Sequence, residues 1–339
     1  MKKVFIGVDF SKLKFDAVLL IQGNKARSIH HIFDNEALGY KEFVKWIKSN
    51  TSIPKKQWLI CGEHTGLYSL NLTKYLNQTG IDIWLENPLQ IKRSMGIKRG
   101  KTDKVDALHI ALYAYRFQDR AISTKLKSDV LDQIKDLQAY RKRLVNCRVA
   151  LEVSSKELAA VKNDSSTDFI VADSQIHIQL INAKLKEINK KIKALITCHQ
   201  DLFLNYKLLT SIKGIGPENA IMVLVLTGNF TLFNDPRKFG CYSGVVPFSH
   251  SSGSSIKSKD KVSELANKKM KTLLTEAVRA AIRYDKNIND YYIRKLQDGK
   301  DRFLVLNNVR NKLIHRMFAV VKNKTPYNPQ YEQSNNNFA

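Results

Sequence analysis

The sequence is short of acids. Its 31 Asp and Glu face 56 Lys and Arg, a formal charge of +25 over 339 residues, and that imbalance predicts a polyanionic partner. Cysteine is sparse: Cys61, Cys147, Cys198 and Cys241 are dispersed and form no C-x-x-C pair. This argues against zinc or dithiol chemistry and leaves reduced thiols in a cytoplasmic protein as the expectation. No run of about 18 apolar residues occurs, so a spanning helix is not expected. The chain enters Val4-Phe5-Ile6-Gly7-Val8 directly, without a separate apolar leader and cleavage site, so a secretory signal is not expected either. Basic residues gather with Gly, Ser and Thr instead of lining one amphipathic face, which favours nucleic acid over a membrane surface. A hydrophobic content of 43% supports a sizeable core, and the length suits two domains plus a connector.

Residues 3–35 read as three consecutive strands, the first of a fully buried type. A helix over 37–49, a strand Trp58–Cys61, a helix Leu67–Leu76, a strand Ile81–Leu85 and a helix from Thr102 to about Phe117 follow. This order matches a ribonuclease-H-like (RuvC-like) α/β layer. Residues 125–205, without Gly or Pro, read as two long helices broken at 162–167. Val130, Leu137, Leu144, Leu151 and Leu158 repeat every seven residues on the first. Ile178, Ile181, Leu185, Ile188, Ile192 and Leu195 follow 3-4 spacing on the second. An antiparallel hairpin, a dimerising coiled coil and ordinary helices on a globular core all satisfy that pattern. Beyond Leu208, two helical stretches meet at Gly214-Ile215-Gly216, a short helix starts at Pro236, 249–261 reads as a polar loop, and amphipathic helices are predicted at about 262–284 and 301–322. The last residues, with Asn335-Asn336-Asn337, read as a disordered tail. The division expected is 1–122 metal-binding domain, 123–206 helical connector, 207–325 mostly helical second domain, and 326–339 tail.

Few acids make the placed ones conspicuous. Asp9 ends a buried strand and Glu63 closes the next apolar one, a costly position unless something positive sits beside it. Asp103 and Asp106, three apart at the start of a helix, share a face and repel unless a cation or proton intervenes. Four carboxylates from separate elements suit a pair of Mg²⁺ ions, which prefer oxygen ligands. Between Lys92 and Lys104 lie six bases (Lys92, Arg93, Lys98, Arg99, Lys101, Lys104) against one acid, a segment suited to gripping backbone phosphates beside those acids. The Gly214-Ile215-Gly216 turn resembles a helix-hairpin-helix, whose backbone N–H groups meet phosphate without reading sequence. Residues 237–271 hold eight bases, including Lys257 and Lys259, and two acids. Within them His250-Ser251-Ser252-Gly253-Ser254-Ser255 offers serine nucleophiles near cations. The residues alone do not select among Ser251, Ser252, Ser254 and Ser255.

Gly7-Val8-Asp9-Phe10-Ser11-Lys12, Glu63-His64-Thr65-Gly66 and Lys101-Thr102-Asp103-Lys104-Val105-Asp106-Ala107 resemble the three blocks of the DEDD transposases, the bridge-RNA-guided insertion-sequence recombinases related to pilin-gene DNA invertases. The likeness continues through Ile212–Gly216, Phe239–Pro247 and Ser251–Ser255. It implies a RuvC-like domain, a coiled-coil connector and a transposase domain. The four acids that hold Mg²⁺ fall on Asp9, Glu63, Asp103 and Asp106, and the serine that forms a covalent phosphoserine falls on Ser252. The implied partners are donor and target DNA, a bridge RNA, and further copies of the chain as dimer or tetramer with composite sites. His64 stands where a small residue is usual. The expected activity is site-specific cutting and rejoining of DNA, as transposition or inversion. The alternatives are a metal-dependent nuclease or junction resolvase that uses water, and a basic scaffold with a degenerate acid site.

Overall fold

The computed structural model describes residues 2–22, 24, 27–96, 102–124, 128–252 and 256–330, with side chains omitted at 249–252 and 256–260. Contacts divide the chain into two compact units, Met1–Leu126 and Lys127–Ala339.

The first unit is built on a five-stranded sheet: β1 (Val4–Phe10), β2 (Lys14–Ile21), β3 (Ile29–Asp34), β4 (Trp58–Glu63) and β5 (Ile83–Glu86), in the order β3-β2-β1-β4-β5. β1–β2 and β2–β3 are antiparallel, while β1–β4 and β4–β5 are parallel. Because strand side chains alternate between faces, β1 sends Val4, Ile6, Val8 and Phe10 into one core with Phe43, Ile47, Leu72 and Leu76. These last four belong to helices α1 (Ala37–Asn50) and α2 (Leu67–Gln78). Phe5 goes to the opposite core with Val18, Leu59, Cys61, Trp84, Ala107, Ile110 and Ala111. Helices α3 (Pro88–Ser94) and α4 (Asp103–Arg116) cover that face. A sheet buried on both faces explains the near-continuous apolar runs of β1 and β4. A methyl group built on Gly7 would stand 2.1 Å from the Ala107 carbonyl oxygen and 2.3 Å from the Ala111 nitrogen. Glycine there lets α4 lie directly on β1.

In the second unit α5 (Asp129–Val161) and α6 (Ser165–Thr197) form an antiparallel hairpin. Its register is fixed by Arg141 donating to Asn189 and Arg148 to Asn182. The seam differs from the seven-residue repeat expected for α5. Leu131, Ile134, Gln138 and Ser155 are buried, and Val130, Leu137, Leu144, Leu151 and Leu158 flank them half-exposed. The 3.6-residue turn carries a strict heptad off the contact line, and polar residues complete it. On α6 the buried row is Ile178, Leu185, Ile188, Ile192 and Ile196.

α7 (Gln200–Thr210), α8 (Pro217–Thr227), α9 (Pro236–Tyr242), α10 (Lys268–Tyr284), α11 (Lys286–Gln297) and α12 (Arg302–Asn323) follow. Phe239, Met270, Leu274, Ile288, Val309, Leu313 and Met317 centre their shared core. Two expectations are corrected. The segment 249–261 is largely a β-hairpin, β6 (Phe248–Ser252) against β7 (Ile256–Lys261), not a polar loop. A ladder of backbone bonds can form in charged sequence, and charges suit exposed edges. The amphipathic helix starts at Lys268, where Asn267 caps Met270, instead of near 262. Lys92 and Arg93 lie in the last turn of α3, so the basic segment is helical at its start. Residues 331–339 of the expected tail lie outside the described residues. No helix among the described residues is long and apolar enough to cross a membrane.

Candidate active site

Two-residue periodicity places the acids. On the face of the sheet covered by α4, Phe5 and Gly7 of β1 are followed by Asp9, Leu59 and Cys61 of β4 by Glu63, and Val18 and Leu20 of β2 are preceded by Asp16. Asp9 pairs with Asp16 in the β1–β2 register, and Val8 pairs with Gly62, one step before Glu63. Asp103 and Asp106 occupy the first turn of α4, whose Thr102 hydroxyl caps the Val105 N–H at 3.3 Å. The close crossing at Gly7 therefore brings the start of α4 to the ends of β1 and β4. Asp9, Asp16, Glu63, Asp103 and Asp106 all line one cavity of about 740 Å³, with Lys92 and His109 on its wall.

Electrostatics in that cavity are crowded. Burial, and then the charges of Glu63, Asp106, Asp103 and Asp16, push the Asp9 carboxyl up to about 6. Lys14 Nζ lies 3.2 Å from Asp103 Oδ2 and 3.6 Å from Asp16 Oδ2. Its hydrogen bond to Asp103, followed by the charge of Asp16, raises the Lys14 amine. Asp16, almost fully buried, also meets His30 Nε2 at 2.7 Å. Among the described residues no three His, Cys, Asp or Glu side chains close up into a finished ion cage. Asp103 leans on Lys14, and the remaining like charges repel one another.

Asp16, Lys14, His30 and His109 were not singled out by sequence reasoning. The short turn after Phe10 folds β2 back so that residue numbers of paired positions sum to a constant, and that signal places Asp16 opposite Asp9. His64 is exposed, and its backbone N–H donates to the Glu86 carbonyl at 2.8 Å, extending the β4–β5 pairing.

Lys98, Arg99 and Lys101 fall outside the described residues, as do Gly253, Ser254 and Ser255. Ser252 is the last residue of β6, paired with Ile256, while Lys257 pairs with Ser251 and Lys259 lies further along β7. Gly214, at φ 92°, packs on α10, and a methyl group there would stand 2.5 Å from the Ala277 carbonyl oxygen. Gly216 N-caps α8 at φ −80°, and a methyl group there would meet nothing within 4 Å.

A sheet of this order, with carboxylates at the ends of adjacent parallel strands and at the start of the helix crossing them, is consistent with an RNase-H-like carboxylate site. Residues 6–160 match the DEDD transposase model of the IS110 type, and residues 206–293 match the model described as transposase IS116/IS110/IS902 family. The two models together span more than two thirds of the chain, which belongs to the DEDD transposases of IS110 type. It is 24% identical to the pilin gene-inverting protein of Moraxella lacunata over 98% of this chain and 100% of that protein. It is also 25% identical to the transposase for insertion sequence element IS1111A of Coxiella burnetii, over 62% of each chain.

Proposed function

We propose that the protein is a site-specific DNA recombinase that cuts and rejoins strands, with Mg²⁺ held by Asp9, Glu63, Asp103 and Asp106 and with Ser252 as nucleophile. The observation that carries the proposal is the meeting of these four acids in one cavity of a strongly basic chain. The donor set suits a hard divalent cation. Every candidate ligand is a carboxylate oxygen, and an added cation would offset both the burial and the like-charge repulsion that lift Asp9. A bound cation would supply positive charge to the attacked phosphate and its attacking oxygen.

The chain's own part is then binding and displacement. Lys92 and Arg93, with Lys98, Arg99 and Lys101, hold backbone phosphates on the first unit, while Lys257 and Lys259 do so around the serine hairpin. The Ser252 Oγ–P bond forms as one P–O bridge to deoxyribose breaks. The serine proton passes to a base, and the departing oxygen takes up a proton. A strand hydroxyl later attacks the phosphoserine, forms the new P–O bridge and returns a proton to Ser252, so the phosphodiester count is conserved.

Ser252→Ala should abolish the covalent protein–DNA species on a denaturing gel, as should Asp9→Ala. An adduct that persists in Ser252→Ala overturns the nucleophile, and cleavage without any adduct points to water. Inversion is the favoured outcome over transposition, because the likeness to the Moraxella inverting protein runs the length of both chains. A plasmid with paired sites in opposite orientation reads it directly. The family resemblance further implies a bridge RNA that selects those sites, and an RNA of defined sequence should copurify with the protein.

A further inference from the structure

A second cavity, of about 520 Å³, lies wholly within the second unit, where the base of the α5–α6 hairpin meets α7 and α8. Its walls are mainly apolar and aromatic, including Ile192, Phe203 and Tyr206. Gln138 also lines it. This residue is 9% exposed and brings a side-chain amide to the wall. A side-chain amide carries two N–H donors and a carbonyl acceptor, the groups that complement the hydrogen-bonding edge of a base.

The rim adds three features. Arg141 is held flat by two hydrogen bonds, Nε to Asn189 Oδ1 at 2.9 Å and Nη1 to Glu218 Oε1 at 3.0 Å. Lys193 lines the opening, and Lys142 and Lys269 are close enough to influence charge there. The cavity also opens beside the first residues of α8, next to Gly216. Among the described residues nothing lies within 4 Å of a methyl group built there, so the position has open space beside it.

We infer that this cavity receives one unstacked base of the bound nucleic acid, its ring against Phe203 and Tyr206, its hydrogen-bonding edge on the Gln138 amide, and its phosphate toward Lys193 at the rim. Size, an aromatic wall, an amide and basic residues at the rim are the recognition set for a nucleobase, as distinct from an acidic or purely apolar ligand. The inference rests on the reading of the protein as a nucleic-acid enzyme.

The test uses the full-length protein, a short duplex carrying one unpaired adenine, the same duplex fully paired, and free adenosine monophosphate. The unmodified protein should prefer the unpaired duplex by about tenfold, the scale of stacking one base on an aromatic side chain. Gln138→Leu and Phe203→Ala should erase that preference and leave binding of the paired duplex unchanged. In the unmodified protein, iodouracil placed at the unpaired position should crosslink on irradiation to the peptide bearing Phe203 and Tyr206, a result independent of variant folding. Equal binding of both duplexes with no such crosslink overturns the inference and leaves the recombinase proposal standing. Failure to bind either duplex overturns both. Saturation by free adenosine monophosphate, with no preference for the unpaired duplex, overturns the strand base and assigns the cavity to a free nucleotide.

Discussion

Asp9 binds a proton more tightly in the folded chain than its ordinary value of 3.8 allows, holding it to about 6. Between those limits the folded state carries a proton that the unfolded chain has released. Stability is therefore unpenalised below the lower limit and falls as pH rises through the upper one. Asp9 is half-exposed, so solvent screening reduces the cost to about 1 kcal/mol. Asp9→Asn should remove this slope and raise the metal-free melting temperature at pH 8 by about 2–4 °C. Mg²⁺ should stabilise the unmodified protein at pH 8, less at pH 5, and Asp9→Asn hardly at all. A flat melting profile from pH 4 to pH 8 in the unmodified protein would remove the crowding on which the site depends.

Elements set where these residues stand. α4 reaches the acids only because β1 offers no side chain at Gly7. Gly7→Ala should cost about 1–3 kcal/mol through overpacking and should lower strand cleavage further than stability alone explains, since it tilts Asp103 and Asp106 away from Asp9. Gly216→Ala is the counterpart. With open space at its Cβ it should leave the unfolding free energy in urea within about 1 kcal/mol of the parent while weakening nucleic-acid binding. In the second unit Asp285 both caps the Ile288 N–H at the start of α11 and accepts from Arg316 of α12 at 2.8 Å, with each side chain at least nine-tenths buried. Asp285→Ala removes the carboxylate paired with the buried Arg316 and should cost about 3–5 kcal/mol in urea unfolding. Asp285→Asn, which keeps a capping oxygen, should cost less.

At the scale of the whole molecule, the charge of +25 has a direct consequence. Affinity for duplex DNA should fall linearly with the logarithm of salt, with a slope of about −0.9 for each phosphate neutralised. A slope near zero in a fluorescence titration would show that the excess of Lys and Arg does not face nucleic acid. If acids and serine act from different copies of the chain, a mixture of Asp9→Ala and Ser252→Ala should regain a fraction of the activity that each lacks alone. No regain would place both in one copy.

Strand alternation and buried apolar runs in the sequence already fix β1 and β4, and with them the ends at which Asp9 and Glu63 stand, because period two and full burial leave one arrangement of such short segments. The start of α4 is equally legible from Thr102, whose hydroxyl caps the helix and leaves Asp103 and Asp106 in its first turn. Local composition misleads at residues 249–261, where pairing across the chain makes a hairpin from residues typical of a loop. It misleads again on α5, where Gln138 and Ser155 are buried in the seam and the leucines of the seven-residue repeat flank it. The approach of α4 to β1, the entry of Asp16 and Lys14 into the acid cavity, and the enclosure of Gln138 are tertiary outcomes. Each depends on which segments distant in the chain come to lie against one another, a choice made by packing and charge that no single segment contains.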